Sequence, residues 1–280
     1  MAAAGAVWKE MQSMECKACK KERTRRNRLL APSDKRVTEP PFVDAPYIHK
    51  NNEPKYHGML LRAKENAKSN RKHALWFAAH DTPANPAQVV KKPSKLRERL
   101  ERFLQFHDQK TCGIPGLNIL YEGLRMRVTE KLVKNNKLSI LKHTPCTVLG
   151  WELHPADRKQ CHGPERFLNY MPYCIYLKFD NVTWVIHPRL GQGVFPLYPV
   201  ERTWILNEAT EAKIKRKGFT IVPDYASTAF MMQGATLNAC LADCGDVLDL
   251  PGLSELMTNY VTLSRVTTAE GPKKNSIGTK

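Results

Sequence analysis

Between Cys112 and Gly218 the chain breaks into short alternating or β-branched runs: G-I-P-G-L-N-I-L-Y-E-G-L-R-M-R-V-T-E, S-I-L-K-H-T-P-C-T-V-L-G-W-E-L, Y-C-I-Y-L-K-F-D and T-W-V-I-H-P. Gly, Pro, Asn and Asp turns separate them, which is the pattern of strands joined by tight connections. About four or five short strands in so few residues predict a small curled sheet or barrel. On both sides of this block the texture is different, so the β segment reads as an insertion into an α/β domain.

Upstream, P-P-F-V-D-A-P-Y-I-H is an apolar run bounded by prolines and predicts a strand. A helix should follow it, because Tyr56, Met59, Leu60, Ala63 and Ala67 recur at helical spacing, with Asn52 as a possible cap and Pro54 in its first turn. A strand is expected from His73 to His80, then a Pro-, Asn- and Lys-rich linker from Asp81 to Lys95. Leu96, Leu100, Phe103 and Leu104 then line one side of a charged helix that Ser94 could cap. Downstream, Phe219–Pro223 reads as a buried strand and Ser227–Gln233 as a short helix ended by Gly234, where the left-handed conformation is free of penalty. L-N-A-C-L-A-D is a second buried strand, and Ser254 opens a helix that carries Leu256, Tyr260 and Leu263 and places Arg265 near its end.

The expected organisation is therefore a basic lead-in over 1–40, a first α/β part over 41–110, a β insertion over 111–205, a second α/β part over 206–270 and a tail over 271–280. With 42% hydrophobic residues in 280, the chain can bury a substantial core. No run of apolar residues is long enough to span a bilayer, and no secretory signal opens the sequence, so a soluble intracellular protein is expected. A formal charge of +17, spread through folded-looking sequence, points to a polyanionic partner, most simply nucleic acid. The eight cysteines lack the spacing of a disulfide framework. Cys16 and Cys19 have the spacing of half a zinc knuckle that Cys161 and His162 could complete, although two free thiols satisfy the same pattern and no metal ligand is assigned.

Two stretches carry polar groups without an evident packing purpose: T-A-F-M-M-Q-G-A-T-L, Thr228 to Leu237, and Y-V-T-L-S-R, ending at Arg265. The first resembles the fifth conserved helicase motif and the second the sixth motif of superfamily-1 DNA helicases of the RecD and Pif type. R-K-G-F-T-I-V-P, Y-E-G-L-R-M-R-V-T-E, C-T-V-L-G-W and D-A-P-Y-I-H-K-N-N are similar to further parts of the same enzymes, so the likeness extends from Phe42 to Glu270. It implies a RecA-like second motor domain with an inserted SH3-like β-barrel, in helicases of DNA repair and recombination.

The resemblance also implies roles. Arg265 matches the arginine finger that meets the γ-phosphate, a task suited to a permanently charged planar fork of donors. Gln233 and Gly234, with Thr228, Thr236, Tyr260 and Ser264, match positions that couple nucleotide state to the tracked strand, and Asn51 and Asn52 match a turn near nucleic acid or nucleotide. Phe230 departs from the family, which commonly has a histidine there. The same residues admit a structural reading, in which Gln233 and Gly234 form a helix C-cap, Arg265 stabilises a helix end and the threonines only pack.

The chain contains no Gly-Lys dipeptide, hence no G-x-x-x-x-G-K-[ST] loop to hold ATP phosphates and Mg2+. The expectation is the C-terminal half of an ATP-dependent DNA helicase. It would bind single-stranded DNA or RNA and would depend on a first motor domain for ATP and Mg2+. The alternative is a non-catalytic nucleic-acid-binding protein that uses Trp76, Trp151, Trp184 and Tyr198 for stacking. A nuclear or mitochondrial setting is compatible with either, and no membrane partner is expected.

Overall fold

The computed structural model describes residues 40, 42, 45–49, 51–89, 95–134, 138–158, 163–207, 212–229, 231–232 and 236–242. They fall into two units, one holding the described residues among 1–50 and 227–280 and the other those among 51–226. In chain order the first half runs β1 (Tyr47–His49), α1 (Asn52–Ser69), β2 (Ala74–Ala78), β3 (His80–Pro83), α2 (Pro86–Val89), α3 (Leu96–Phe103), β4 (Leu117–Leu120), β5 (Arg125–Val128), β6 (Val133–Lys134) and β7 (Ser139–Ile140). The second half runs β8 (Pro145–Glu152), β9 (Glu165–Phe167), β10 (Cys174–Lys178), β11 (Val194–Leu197), β12 (Val200–Asn207), β13 (Ala212–Gly218), β14 (Ile221–Pro223), β15 (Ala226–Thr228) and β16 (Leu241–Ala242).

Among the described residues the smaller unit holds a sheet of order β15-β1-β16. β1 and β16 pair in parallel, Tyr47 opposite Leu241 and Ile48 opposite Ala242, although residues 50–240 lie between them. A parallel pair requires a crossover, which the intervening chain supplies.

In the larger unit α1 lies against β4 and β14 and buries Tyr56, Met59, Leu60, Ala63 and Ala67, the five positions that the helical spacing selects. The Tyr56 hydroxyl both donates to the Leu117 carbonyl at 2.8 Å and accepts from the Leu117 amide at 2.7 Å, tying the helix to the start of β4. Burial pushes its pKa up to about 12, so it stays a neutral donor and acceptor at any ordinary pH. Three sheets surround this helix and its neighbours, of orders β4-β2-β9, β12-β13-β3 and β11-β10-β8-β5-β14. The five-stranded sheet is antiparallel throughout. It is open, with β11 and β14 as its edges among the described residues, where the strand spacing predicts a curled sheet or barrel.

The most deeply buried charges are paired. Arg216 on β13 stands opposite Asp81 on β3 and donates to its two carboxylate oxygens at 2.7 and 2.6 Å. The same guanidinium donates to the Phe103 carbonyl at 2.7 Å, anchoring the end of α3. Phe103 packs with Val89, Trp204 and Ile214, and Leu96 and Leu100 cover that cluster, which is the stripe expected of the charged helix. Gly116 passes so close to Leu104 that a Cβ there would lie 2.0 Å from the Leu104 carbonyl oxygen.

Several expectations are corrected. Ala226–Thr228 is a buried strand, so the expected helix from Ser227 to Gln233 does not start there; among the described residues a turn follows, in which the Met231 and Met232 amides donate to the Thr228 carbonyl. The sheet edge beside β1 offers these residues ladder bonds that outweigh local helix preference. The strand expected from His73 to His80 is two strands of different sheets, divided at Ala79, whose amide donates to Gly116. T-W-V-I-H-P is a loop: Gly193, at φ +70° and with no room for a Cβ beside the Phe179 carbonyl, turns the chain so that Val194–Leu197 takes the place beside β10. L-N-A-C-L-A-D contributes only Leu241–Ala242 as strand. Asn51, not Asn52, occupies the N-cap of α1, and its side chain makes no capping bond. Lys95 precedes α3, and the proposed cap Ser94 lies outside the described residues.

Candidate nucleic-acid interface

The Thr228–Leu237 stretch is positioned by apolar packing. Ala229 and Met232 bury against Ile48 of β1, and Leu237 and Cys240 close over them. The stretch is thus clamped at both ends, by β15 before it and β16 after it, to the two sides of one central strand. Of its polar groups, Thr228 is buried, with its carbonyl serving the turn, while Thr236 is exposed. Gln233, Gly234, Tyr260, Ser264 and Arg265 lie outside the described residues, as do Cys16, Cys19, Cys161 and His162. Asn51 and Asn52 belong to the other unit. Asn51 is exposed and its carbonyl accepts from the Lys55 amide, a helix-start role that leaves its side chain to solvent.

A second arrangement, in the larger unit, was not among the expected sites. The buried Asp157 carboxylate accepts from Arg166 Nη2 at 2.9 Å, Asn169 Nδ2 at 3.0 Å and the Tyr170 amide at 2.8 Å. Burial by itself would raise its pKa. The bonds from the Tyr170 and Asn169 backbone, the Asn169 amide and Arg166 outweigh that and hold the group below the usual carboxylate range. The loop so fastened turns its rings outward. Phe167, Tyr170 and Tyr173 are 64%, 52% and 48% exposed.

Each ring has a support. Tyr170 stacks on His154 at 4.1 Å between ring centres, and Tyr173 meets the same imidazole edge-on at 5.5 Å. His154 is itself set by accepting from the Ala156 amide at Nδ1. Phe167 stacks at 5.8 Å on Trp76. The Trp76 indole donates to Glu165 at 3.1 Å, and Lys64 pairs with the same carboxylate at 2.9 Å; these two bonds keep Glu165 ionised below its ordinary range. Held rings with one free face are the geometry on which unpaired bases stack. Among the described residues no cluster of His, Cys, Asp or Glu could hold a metal ion, and no helix is long and apolar enough to cross a membrane.

No protein-family model matches the chain, and no curated protein does. Among solved structures it is similar to a Pif1 helicase from Candida albicans, at 16% identity over 90% of this chain and 52% of that one, with a TM-score of 0.46. It is also similar to a Bacteroides Pif1 helicase in complex with ADP-AlF3 and ssDNA, at 12% identity over 95% and 47%, TM-score 0.46. A Bacteroides Pif1 bound to ssDNA gives 13% identity over 81% and 39%, TM-score 0.42. The chain spans about half the length of these structures or less.

Of the four aromatic side chains expected to stack bases, Trp76 is only 9% exposed and lies beneath Phe167, Trp151 and Trp184 are half-buried, and only Tyr198 is well exposed. The residues that the sequence reading missed had a visible signal. In R-F-L-N-Y-M-P-Y three aromatics recur every third position from the end of one strand into the link that follows, a spacing that fits neither a strand face nor a long helix.

Proposed function

We propose that this chain is the C-terminal motor half of an ATP-dependent DNA helicase of the RecD and Pif type. In this reading the β15-β1-β16 sheet belongs to a RecA-like second motor domain, and the antiparallel strands between belong to an SH3-like insertion. Arg265 is the arginine finger, and Gln233 and Gly234, with Thr228, Thr236, Tyr260 and Ser264, couple nucleotide state to single-stranded DNA. ATP and Mg2+ are held by a first motor domain in the same or another polypeptide, since these 280 residues contain no phosphate-cradling loop. An intracellular, DNA-containing compartment goes with that role.

The observation that carries the reading is the placement of Tyr47–His49 between the two strands that bracket the Thr228–Leu237 stretch. It gathers two of the matching sequence segments, far apart in the chain, onto neighbouring strands of one sheet. The test is DNA-stimulated ATP hydrolysis by the purified chain. No turnover is expected from the chain alone, together with salt-sensitive binding of a poly-dT oligonucleotide. Turnover that Arg265→Ala abolishes would show that the chain holds its own nucleotide, and absence of nucleic-acid binding would remove the motor reading altogether.

A second reading is favoured by the ring surface of Phe167, Tyr170, Tyr173 and His154: a non-catalytic single-strand-binding protein derived from a helicase. It predicts oligonucleotide affinity indifferent to added nucleotide and to Arg265→Ala.

A further inference from the structure

β13 is the central strand of the sheet β12-β13-β3, and its residues alternate strictly between core and solvent. Ala212, Ile214, Arg216 and Gly218 face inward, while Lys213, Lys215 and Lys217 stand exposed on the other face. Successive lysines are two strand residues apart, about 6.7 Å, which is of the order of the spacing between neighbouring phosphates along a nucleic-acid strand. The flanking strands complete the exposed face. Glu201, Thr203 and Ile205 of β12 lie opposite Lys217, Lys215 and Lys213, and His80 and Thr82 of β3 lie opposite Lys217 and Lys215. All five are exposed.

We propose that this face binds the sugar-phosphate backbone of duplex nucleic acid. The inference rests on the nucleic-acid reading above but assigns a different partner to a different surface. Three cations in a row, with hydroxyl groups beside them, are complementary to a line of phosphates and sugars. The single acidic member of the face, Glu201, approaches Lys215 at 3.8 Å, and both side chains are about half exposed, a loose pair that a phosphate can replace. Lys213 and Lys217 have no acidic partner among the described residues. The face carries no aromatic ring apart from the imidazole of His80, so it offers little of the stacking on which single-strand binding draws. Duplex binding without sequence preference draws almost entirely on phosphate neutralisation, which lysines supply. The rings suited to unpaired bases, Phe167, Tyr170 and Tyr173, stand on other strands and loops.

The test compares the full 280-residue chain with the triple variant Lys213→Ala, Lys215→Ala, Lys217→Ala, titrating a fluorescent 20-base-pair duplex and a poly-dT oligonucleotide across a salt series. Loss of three phosphate contacts should lower the slope of log affinity against log salt for duplex by about 2.7 and weaken duplex binding at least about tenfold near 0.1 M salt, with poly-dT affinity kept within about twofold. The triple arginine variant should bind duplex like the parent, which separates charge from folding. Equal losses on both ligands, or unchanged duplex binding, would overturn the proposal. A parent chain that binds poly-dT but not duplex would overturn this inference alone, whereas one that binds neither would remove the motor reading with it.

Discussion

The guanidinium of Arg216 and the carboxylate of Asp81 face each other across two neighbouring strands, both shut away from solvent, with two hydrogen bonds of 2.7 and 2.6 Å between them. Such a pair is costly to desolvate, so its removal from one side only is what hurts. Asp81→Ala strands a buried cation and should cost about 3–5 kcal/mol in chemical denaturation. Replacing both residues by apolar side chains of similar volume should recover most of that loss.

Tyr56→Phe tests the link between α1 and β4. The hydroxyl serves both the amide and the carbonyl of Leu117, and its loss leaves two buried backbone groups unpaired, so a destabilisation of about 1–3 kcal/mol is expected in a urea titration.

Gly116→Ala should be worse tolerated than its size suggests. The new methyl group meets backbone atoms of Leu104, which no rotamer change can move, and overpacking of this kind costs about 1–3 kcal/mol or more. A lowered thermal midpoint in the variant, with Gly150→Ala nearly neutral because nothing lies within reach of its Cβ, is the expected contrast.

The Asp157 loop should be acid-sensitive. Its folded pKa lies below the unfolded value, so the carboxylate stabilises the loop fully above the ordinary aspartate pKa of about 4 and loses that contribution as pH falls through the lower folded value. Hydrogen exchange at the Tyr170 amide, which donates to Asp157, should accelerate on acidification below pH about 4 relative to the intrinsic rate, and Asp157→Ala should reproduce the loosening at neutral pH.

For the ring surface, Tyr170→Ala and Phe167→Ala should each weaken poly-dT binding by about 1–3 kcal/mol if a base stacks there. Trp184→Ala, at a half-buried ring packed near Phe179, should act on stability more than on affinity.

What the sequence disclosed followed from periodicity. The five apolar positions of α1 and the stripe of α3 were legible because a helix face repeats on its own. Strand limits were less so, since Thr228 and Ala79 take their conformation from neighbours far away in the chain: β1 beside the one, Gly116 bonded to the other. Of the candidate residues, Thr228 could be recognised as part of a motif but not as buried, because its burial depends on that sheet partner. Phe167, Tyr170 and Tyr173 escaped notice because aromatic residues at a strand end and in the loop after it look the same whether they fold inward or are held outward by a loop that Asp157 fastens.

The parallel pairing of Tyr47 with Leu241 has a bearing on how the protein is made. At ordinary rates of synthesis, β1 leaves the ribosome roughly ten to forty seconds before its partner strand exists. Through that interval its backbone donors and acceptors have no ladder to join, so the nascent chain offers an open edge to other chains. The sheet can therefore be completed only after Leu241 and Ala242 have been made, and its assembly should be the slow, chaperone-dependent phase of biogenesis.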